Sequence, residues 1–500
     1  MGKPSLDKDL KKVGQLATAS GSLSRSLAAP GLLLIFMIAS IAAASLALGD
    51  SSHTTLVVFA AVIAAYMALN IGANDVANNM GPAVGSRVLS MVGAITIAAV
   101  AETAGAILAG GDVVSTVAKD LIVKDHGLAA DPFIMMMMAA LLAAGLWLHL
   151  ATYLGAPVST THAIIGAVMG SASMAAGLEA VNWAVMGKIA ASWVISPICG
   201  GLIAAALLGL VKWLVVFRED RRGAAKRWVP VLVALMAGVF AMYMVSKGLS
   251  RVWKPDAATV WAFGALFSVL GFAVARPLVA RRAAVIANTR KDVAGCFNIP
   301  LIFAVGLLSF AHGANDVANA VGPLAAIVSV ARTEAGLAGE VALPIWVLAI
   351  GAFGISLGLS LFGPRLIRTV GEKITKMDPI RAYCVALSAA VTVLVASAMG
   401  LPVSSTHIAI GAVFGVGYLR EFLTNKGVPN PAIKPRSMFL EPSQLNKTPE
   451  DALRNYNKRE KRRLVRRQHV YGIAAAWVVT VPAAALLAAV IYASMRWVVG

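Results

Sequence analysis

Long apolar runs separated by short polar segments make up most of this chain. A transmembrane helix needs about 20 predominantly apolar residues, and about thirteen runs come near that length. They lie near 31–49, 55–80, 88–110, 132–155, 157–178, 184–217, 228–247, 257–276, 296–329, 341–363, 379–400, 402–419 and 468–496. Runs 157–178 and 402–419 are rich in glycine and polar residues, which indicates broken or re-entrant helices. The pattern predicts an all-α polytopic membrane protein with about 12 or 13 transmembrane segments.

Composition and charge agree with the membrane class. The chain is 59% hydrophobic and 13% charged, whereas soluble proteins carry roughly 25% charged residues. The net charge is +19, but the basic residues form short clusters between apolar runs. That distribution is typical of cytoplasmic loops facing anionic lipid and not of a nucleic-acid-binding surface. We therefore expect membrane lipids as partners and no nucleic acid.

The basic clusters also predict the topology and the division of the chain. They lie in the N-terminal tail, in the loops 217–228, 275–291 and 365–381, and at the end of the insertion 420–467. Placing all of them inside gives a cytoplasmic N-terminus and single crossings throughout. The resulting units are a tail with an extra span (1–54), a first transport repeat (55–217), a basic loop with two linking spans (218–295), and a second repeat (296–500). The second repeat contains the 420–467 insertion, which we expect to be a solvated cytoplasmic segment of low structure.

Two pairs of motifs show that the chain contains an internal repeat. Residues 72–82 and 313–323 are identical at nine of eleven positions, and both begin Gly-Ala-Asn-Asp-Val-Ala-Asn. Residues 155–162 read Gly-Ala-Pro-Val-Ser-Thr-Thr-His, and residues 400–407 read Gly-Leu-Pro-Val-Ser-Ser-Thr-His. The predicted topology starts the two repeats on opposite sides of the membrane. Inverted repeats with interrupted spans are typical of secondary transporters, whose site lies at the repeat interface near the mid-plane.

The first motif pair places carboxylates within apolar runs. Asp75 and Asp316 are flanked by the amides of Asn74, Asn78, Asn315 and Asn319. An ionised aspartate at membrane depth is costly and indicates a functional site. Glycine and asparagine also disfavour helix, so we expect the chain to unwind in both segments and line a polar cavity. The alternative is that these side chains only hydrogen-bond neighbouring helices.

The second motif pair supplies hydroxyl groups just after a proline. Ser159, Thr160 and Thr161 follow Pro157, and Ser404, Ser405 and Thr406 follow Pro402. Proline fits the first turn of a helix, where hydroxyls and free backbone N–H groups can bind an anion. Ordinary helix capping is the alternative. We call the segments 159–161 and 404–406 the hydroxyl loops. His162 and His407 come next, either as proton carriers or as groups that orient the hydroxyl loops.

An anion site that contains two carboxylates requires cations. Carboxylate and amide oxygens suit a small hard cation, so bound sodium ions, or protons on Asp75 and Asp316, would link a cation gradient to anion uptake. Glu102 is a further intramembrane acid, and the corresponding region 351–356 of the second repeat has none. Cys199, Cys296 and Cys384 lie in or beside apolar runs without partners at ligand spacing, which predicts no transition-metal site.

These paired motifs resemble the inorganic phosphate transporter family of sodium- or proton-coupled phosphate symporters. The resemblance covers both repeats and implies inverted repeats that hold phosphate and cations between them, without a cofactor. It implies a phosphate site lined by Asp75, Asn78, Thr160, Thr161, Asp316, Asn319, Ser405 and Thr406. It implies cation ligands among Asn74, Asp75, Ser159, Asn315, Asp316, Ser404 and Glu102. Many sodium-coupled members carry a second acid where Ala386 stands here, which leaves the cation identity open.

The resemblance favours a bacterial plasma-membrane phosphate importer, with sodium preferred over proton and a homodimer as one possible assembly. A sulfate symporter of the same fold is the first alternative, because sulfate is also a tetrahedral oxyanion. A membrane hydrolase using Ser, His and Asp and a passive anion channel are weaker alternatives. The chain has no phosphate-binding Gly-x-x-x-x-Gly-Lys-Ser/Thr motif, so we expect neither an ATP-driven pump nor an enzyme.

Overall fold

A computed structural model describes residues 28–49, 52–123, 128–156, 158–249, 253–333, 343–373, 377–425 and 467–499. Nearly all of these residues are helical, and the one isolated β-bridge among them joins Ile122 to Val181. The predicted cytoplasmic tail, Pro157 and most of the 420–467 insertion lie outside the described residues. The prediction of an all-α membrane protein is therefore confirmed for the described part of the chain.

Fifteen α-helices follow one another along the described residues. They are α1 (Ala28–Leu48), α2 (Thr54–Gly85), α3 (Met91–Ala109), α4 (Gly111–Ser115), α5 (Ala130–Leu154), α6 (Thr160–Ala176), α7 (Trp183–Val211), α8 (Arg221–Tyr243), α9 (Ala257–Val285), α10 (Arg290–Val293), α11 (Asn298–Thr333), α12 (Ile345–Lys373), α13 (Pro379–Ala398), α14 (Ser405–Asn425) and α15 (Arg467–Val499). Single π-helical turns, Thr116–Asp120, Lys212–Val216 and Met244–Gly248, continue α4, α7 and α8. A 3₁₀ turn, Ala294–Phe297, joins α10 to α11.

Eleven of the described helices are long and apolar enough to cross a membrane. The sequence predicted about 12 or 13 segments, and the two runs it indicated as broken or re-entrant form α6 and α14, which are not among these eleven described helices. Helix α6 has 17 residues, or about 26 Å at 1.5 Å per residue, and the last turns of α14 carry Arg420 and Glu421. Both helices begin after a break in which a glycine takes the left-handed conformation, Gly155 and Gly400, each with φ 68°. The two breaks therefore lie at equivalent points of the repeats, at the start of the runs predicted to be broken or re-entrant, and α6 and α14 themselves are continuous.

The predicted unwinding of the two Asn-Asp segments was wrong. Helix α2 runs unbroken from Thr54 to Gly85 and α11 from Asn298 to Thr333, so both segments are helical throughout. The physical reason is that a helix satisfies its own backbone groups, whereas unwound backbone at membrane depth would need other partners. Side-chain partners from other helices compensate for the low helix propensity of these residues, as described below.

Helix packing repeats itself when the two halves of the chain are exchanged. Helix α2 packs along α12 as α11 packs along α3, and α6 packs on α15 as α14 packs on α7. The closest approaches also correspond: a Cβ on Gly72 would collide with the carbonyl oxygen of Ile355, and a Cβ on Gly313 with that of Glu102. Ile355 therefore occupies in the second repeat the place that Glu102 occupies in the first.

The direction of these helices bears on the inversion. The residue numbers in contact rise along both α3 and α11: Ile97 lies against Gly306, and further along Gly110 lies against Val317. Helices α3 and α11 therefore run the same way. Helix α3 follows α2 after a short connection, so the two must cross a membrane in opposite directions. It follows that α2 and α11 run in opposite directions, which is the arrangement that inverted repeats require.

Candidate functional site

A buried cluster of ionisable groups lies where α2 and α11 meet. Asp75 on α2 and Asp316 on α11 are 1% and 0% exposed. His312, one turn before Asp316, lies between them, with its Nε2 3.8 Å from Asp75 Oδ2 and 3.2 Å from Asp316 Oδ2. One ligand atom from each of these three side chains lies within 4.8 Å of the others. The two predicted aspartates thus face one site across the repeat interface.

Each aspartate accepts a hydrogen bond from the hydroxyl loop of the other repeat. Thr406 Oγ1 donates to Asp75 Oδ1 at 3.1 Å, and Thr160 Oγ1 donates to Asp316 Oδ2 at 3.0 Å. The amide of Asn78 donates to Thr406 Oγ1 at 2.8 Å. The equivalent amide, that of Asn319, donates to the hydroxyls of Thr160 and Thr161 at 3.3 Å each. The four motifs predicted to act together therefore converge, and in each of these hydrogen bonds the donor and the acceptor belong to different repeats.

The neighbouring asparagines fix the hydroxyl loops from within the same repeat. Asn74 Nδ2 donates to Thr152 Oγ1 at 3.1 Å, at the end of α5. Asn315 Nδ2 donates to Ser397 Oγ at 2.9 Å, and its Oδ1 accepts from the backbone N–H of Val403 at 3.2 Å. Thr152 and Ser397 are equivalent positions of the two repeats. Asn74 and Asn315, predicted as cation ligands, thus also position the segments that begin α6 and α14.

Ser159 and Ser404 act as helix caps in the described structure. Ser159 Oγ accepts from the backbone N–H of His162 at 3.1 Å, and Ser404 Oγ accepts from that of His407 at 3.3 Å. The capping alternative is therefore correct for their hydroxyl oxygens, although a capping hydroxyl can still donate its proton. Ser405 differs, because its Oγ is buried without a hydrogen-bond partner among the described residues.

The two predicted histidines pack against each other and not against the aspartates. The rings of His162 and His407 are 4.5 Å apart between centroids, and the His162 ring lies 3.8 Å from that of Trp193. The indole N–H of Trp193 donates to the carbonyl of Pro402 at 3.3 Å. This contact joins the first repeat to the second hydroxyl loop, which fits an orienting role for the pair.

Three residues without a counterpart in the other repeat also meet in the site. Asn79 Nδ2 donates to Glu102 Oε1 at 2.9 Å, and His312 Nδ1 lies 3.2 Å from Glu102 Oε2. Glu102 was predicted, but Asn79 and His312 were missed. Aligning the repeats puts Ile71 opposite His312 and Ala320 opposite Asn79, so a search for unmatched polar residues could have found both. Ala386, where a second acid was considered, is a fully buried residue of α13.

Several buried oxygen atoms of the cluster lack a hydrogen-bond donor within the part of the chain that the structure describes. They include Asn74 Oδ1, Asp316 Oδ1 and Asn319 Oδ1. A buried acceptor without a partner costs about 1–3 kcal/mol, and carboxylate and amide oxygens are the ligands that hard cations take. The site thus offers free oxygen ligands beside hydroxyl and amide donors, which is a chemistry suited to a cation and an oxyanion together.

Comparison with known proteins gives one consistent result. Residues 71–488 match the model of a family described as the phosphate transporter family. A protein of Helicobacter pylori strain J99 named "Putative phosphate permease" is 42% identical, over 98% of this chain and 99% of that protein. The chloroplastic inorganic phosphate transporter 2-1 of Arabidopsis thaliana is 37% identical, over 75% of this chain and 68% of that protein. A solved structure titled the sodium-dependent phosphate transporter has 32% identity and a TM-score of 0.75, over 89% of this chain and all of that one.

Proposed function

Because this chain belongs to the phosphate transporter family, we propose that it imports inorganic phosphate across the bacterial plasma membrane by secondary active transport. The observation that carries the proposal is the exchange of hydrogen bonds between repeats, Thr406 to Asp75 and Thr160 to Asp316. Each Asp–Thr pair joins a long helix of one repeat to a short helix of the other. A substrate that takes these donors and acceptors would therefore bind both repeats at once.

The chemistry of the site favours phosphate over sulfate. The cluster offers threonine hydroxyls and asparagine amides as donors to oxyanion oxygens. It also offers the carboxylates of Asp75 and Asp316, which can accept from a protonated phosphate oxygen but repel sulfate, which has no proton to donate at neutral pH. Sulfate as the main substrate remains the alternative, and a competition experiment separates the two.

Sodium is the coupling cation that we propose first. The free buried oxygens of Asn74, Asp316 and Asn319 are hard ligands of the kind a sodium ion would take, and the solved relative is named for sodium dependence. A proton is the second candidate, because His312 faces carboxylate oxygens with both ring nitrogens. Where both ring nitrogens face carboxylate oxygens, either each nitrogen carries a proton or one of the facing carboxyl groups is protonated.

Uptake of labelled phosphate into proteoliposomes tests the proposal. With equal buffer inside and out, we expect an inward sodium gradient to drive accumulation above equilibrium, and a proton gradient alone to drive much less. The reverse order would establish the proton, and equal uptake with and without any gradient would contradict coupled transport and indicate a channel. Excess unlabelled phosphate should suppress uptake more strongly than excess sulfate. The family and its named relatives are transporters, so the chain is not an enzyme.

A further inference from the structure

A cavity of about 700 Å³ lies at the end of α2, outside the transport site. Its walls come from the turn after α2, the segment around α10 that follows α9, and the starts of α11 and α13. Arg420 of α14 completes it. Four of the contributing helices, α2, α11, α13 and α14, also carry residues of the transport site or their partners. Ten residues of helix separate Asp75 from Gly85, which is about 15 Å at 1.5 Å per residue.

The cavity is strongly basic. Six of the described lining residues are basic and two are acidic, which leaves an excess of four positive charges. The basic residues are Arg87, Arg282, Arg290, Lys291, Arg381 and Arg420. The loops 275–291 and 365–381, which the positive-inside rule places in the cytoplasm, supply or border four of them. Since loops of one predicted side meet here, the cavity opens on that side.

Both acidic residues of the cavity already have close partners. Asp378 caps α13: its Oδ1 accepts from the backbone N–H of Arg381 at 2.9 Å and its Oδ2 from the guanidinium at 2.8 Å. Asp292 Oδ2 accepts from the hydroxyl of Thr289. Asp378 is thus ion-paired with Arg381, and Asp292 carries the one other negative charge among the described lining residues, against the guanidinium groups of Arg282 and Arg290 that line the same space. Arginine presents planar donors that match phosphoryl oxygens in bidentate fashion.

The backbone at Arg87 adds an independent observation. Among the described residues it is the one non-glycine residue with a positive φ, 61°. A left-handed conformation is unfavourable at such a residue, and strain of this kind concentrates at ligand clamps and switches. The strained turn directs the end of α2 into the cavity, with Ser86 and Val88 also in its wall.

We propose that this cavity is a binding site for a phosphoryl anion, separate from the transport site and reached from the side of the basic loops. The bound anion neutralises the excess charge and joins the segment between the repeats to the ends of the transport helices. The ligand chemistry is that of phosphate oxygens, supplied either by a soluble phosphate or pyrophosphate or by the headgroup of an anionic phospholipid. The proposal depends on these charges and not on the direction or coupling of transport.

Binding to the purified full chain tests the proposal. Inorganic phosphate and pyrophosphate are titrated calorimetrically at low ionic strength, and in a second arm the chain is placed in mixed micelles with phosphatidylglycerol or with phosphatidylcholine. The double variant Arg282→Gln/Arg290→Gln removes two cavity charges. The double variant Arg227→Gln/Arg276→Gln removes two exposed charges outside the cavity and serves as the charge-matched control.

We expect the cavity variant to lose at least tenfold in affinity for one class of ligand, while the control stays within twofold of the parent. Loss confined to phosphate and pyrophosphate assigns a soluble ligand. If the cavity variant loses only the stabilisation that phosphatidylglycerol gives the parent over phosphatidylcholine, the ligand is a lipid headgroup. Changing the cavity variant to Arg282→Gln/Arg290→Lys keeps the charge at position 290 and should restore part of the affinity, which separates a binding effect from misfolding. Equal binding by all variants in both arms would overturn the proposal, as would equal losses in the cavity variant and the control. Asp316→Asn should reduce phosphate uptake and leave cavity binding intact, so failure of the two proposals is distinguishable.

Discussion

The hydroxyl of Thr160 gives the sharpest test of the transport site. Its Oγ1 donates to Asp316 Oδ2 at 3.0 Å and accepts from the amide of Asn319 at 3.3 Å. Thr160→Val keeps the branched shape and removes the hydroxyl, which leaves a buried carboxylate oxygen with one donor fewer. A hydrogen bond to a charged group contributes about 1.5–3 kcal/mol, and about 1.4 kcal/mol corresponds to a factor of ten. We therefore expect phosphate uptake at low substrate concentration to fall by about 10- to 150-fold.

The assay is the initial rate of labelled phosphate uptake into proteoliposomes, normalised to the amount of inserted protein. Thr160→Ser retains the hydroxyl and should stay within a few-fold of the parent. Thr406→Val removes the hydroxyl that donates to Asp75 and should cause a loss of the same order, because it too leaves a buried carboxylate oxygen with one donor fewer. If correctly inserted Thr160→Val transports within about twofold of the parent, a difference of about 0.4 kcal/mol, the cross-repeat hydrogen bond does not contribute to phosphate binding.

Three further predictions follow from the packing and the charges of the site. In Gly72→Ala the added Cβ would collide with the backbone of Ile355, so we expect a lower melting temperature and a free energy of unfolding reduced by about 1–3 kcal/mol. Gly187→Ala, whose added Cβ meets no atom within 4 Å, should change neither quantity appreciably. His312→Gln removes the imidazole between two aspartates, whose repulsion at about 5 Å and an effective dielectric constant of 20 is about 3 kcal/mol; uptake should fall more than tenfold, and unchanged uptake would contradict the bridging role. Replacing sodium by choline outside the vesicles should abolish gradient-driven accumulation, and uptake that persists and follows an imposed proton gradient would assign the proton instead.

The sequence predicted much of the architecture because apolar length and repeated motifs are properties of the chain itself. The run predicted as an extra N-terminal span forms α1, a candidate membrane helix, and breaks at Gly155 and Gly400 stand at the start of the two runs predicted to be broken or re-entrant. Run length alone does not distinguish a short helix that starts after a break from a complete span, so the sequence could not tell which kind of helix α6 and α14 are. In the structure both pack against helices of the opposite repeat.

Local propensity gave the wrong answer at the Asn-Asp segments for an identifiable reason. Asparagine and glycine weaken an isolated helix, but here Asn78 and Asn315 find partners on other helices or loops. Gly72 and Gly313 stand where neighbouring backbones approach too closely for any side chain. Residues that read as helix breakers are therefore the residues that let α2 and α11 pack unbroken through the site.

The asymmetry of the site bears on how transport is coupled. Under exchange of the repeats, Asp75, Asn78 and Thr406 correspond to Asp316, Asn319 and Thr161. Each aspartate accepts from a threonine hydroxyl and each of these asparagines donates to one, but the donor to Asp316 is Thr160, the position equivalent to Ser405. A tetrahedral anion could therefore meet similar groups from either repeat. Glu102, Asn79 and His312 have no such match: Ile355 stands in place of the acid, and Glu102 contacts both Asn79 and His312.

A cation bound on that side would make unequal contacts with the two repeats, and so would stabilise one arrangement of them over the other. A ligand shifts a conformational equilibrium only by its differential affinity for the two states, and a phosphate that met similar groups from both repeats would supply little of it. Glu102→Gln should therefore weaken the dependence of uptake on the cation gradient more than it weakens phosphate binding in the absence of a gradient. Ile355→Glu should alter coupling as well, because it would place a matching acid in the second repeat. Equal losses of binding and of gradient dependence in Glu102→Gln would instead place Glu102 in the phosphate site itself.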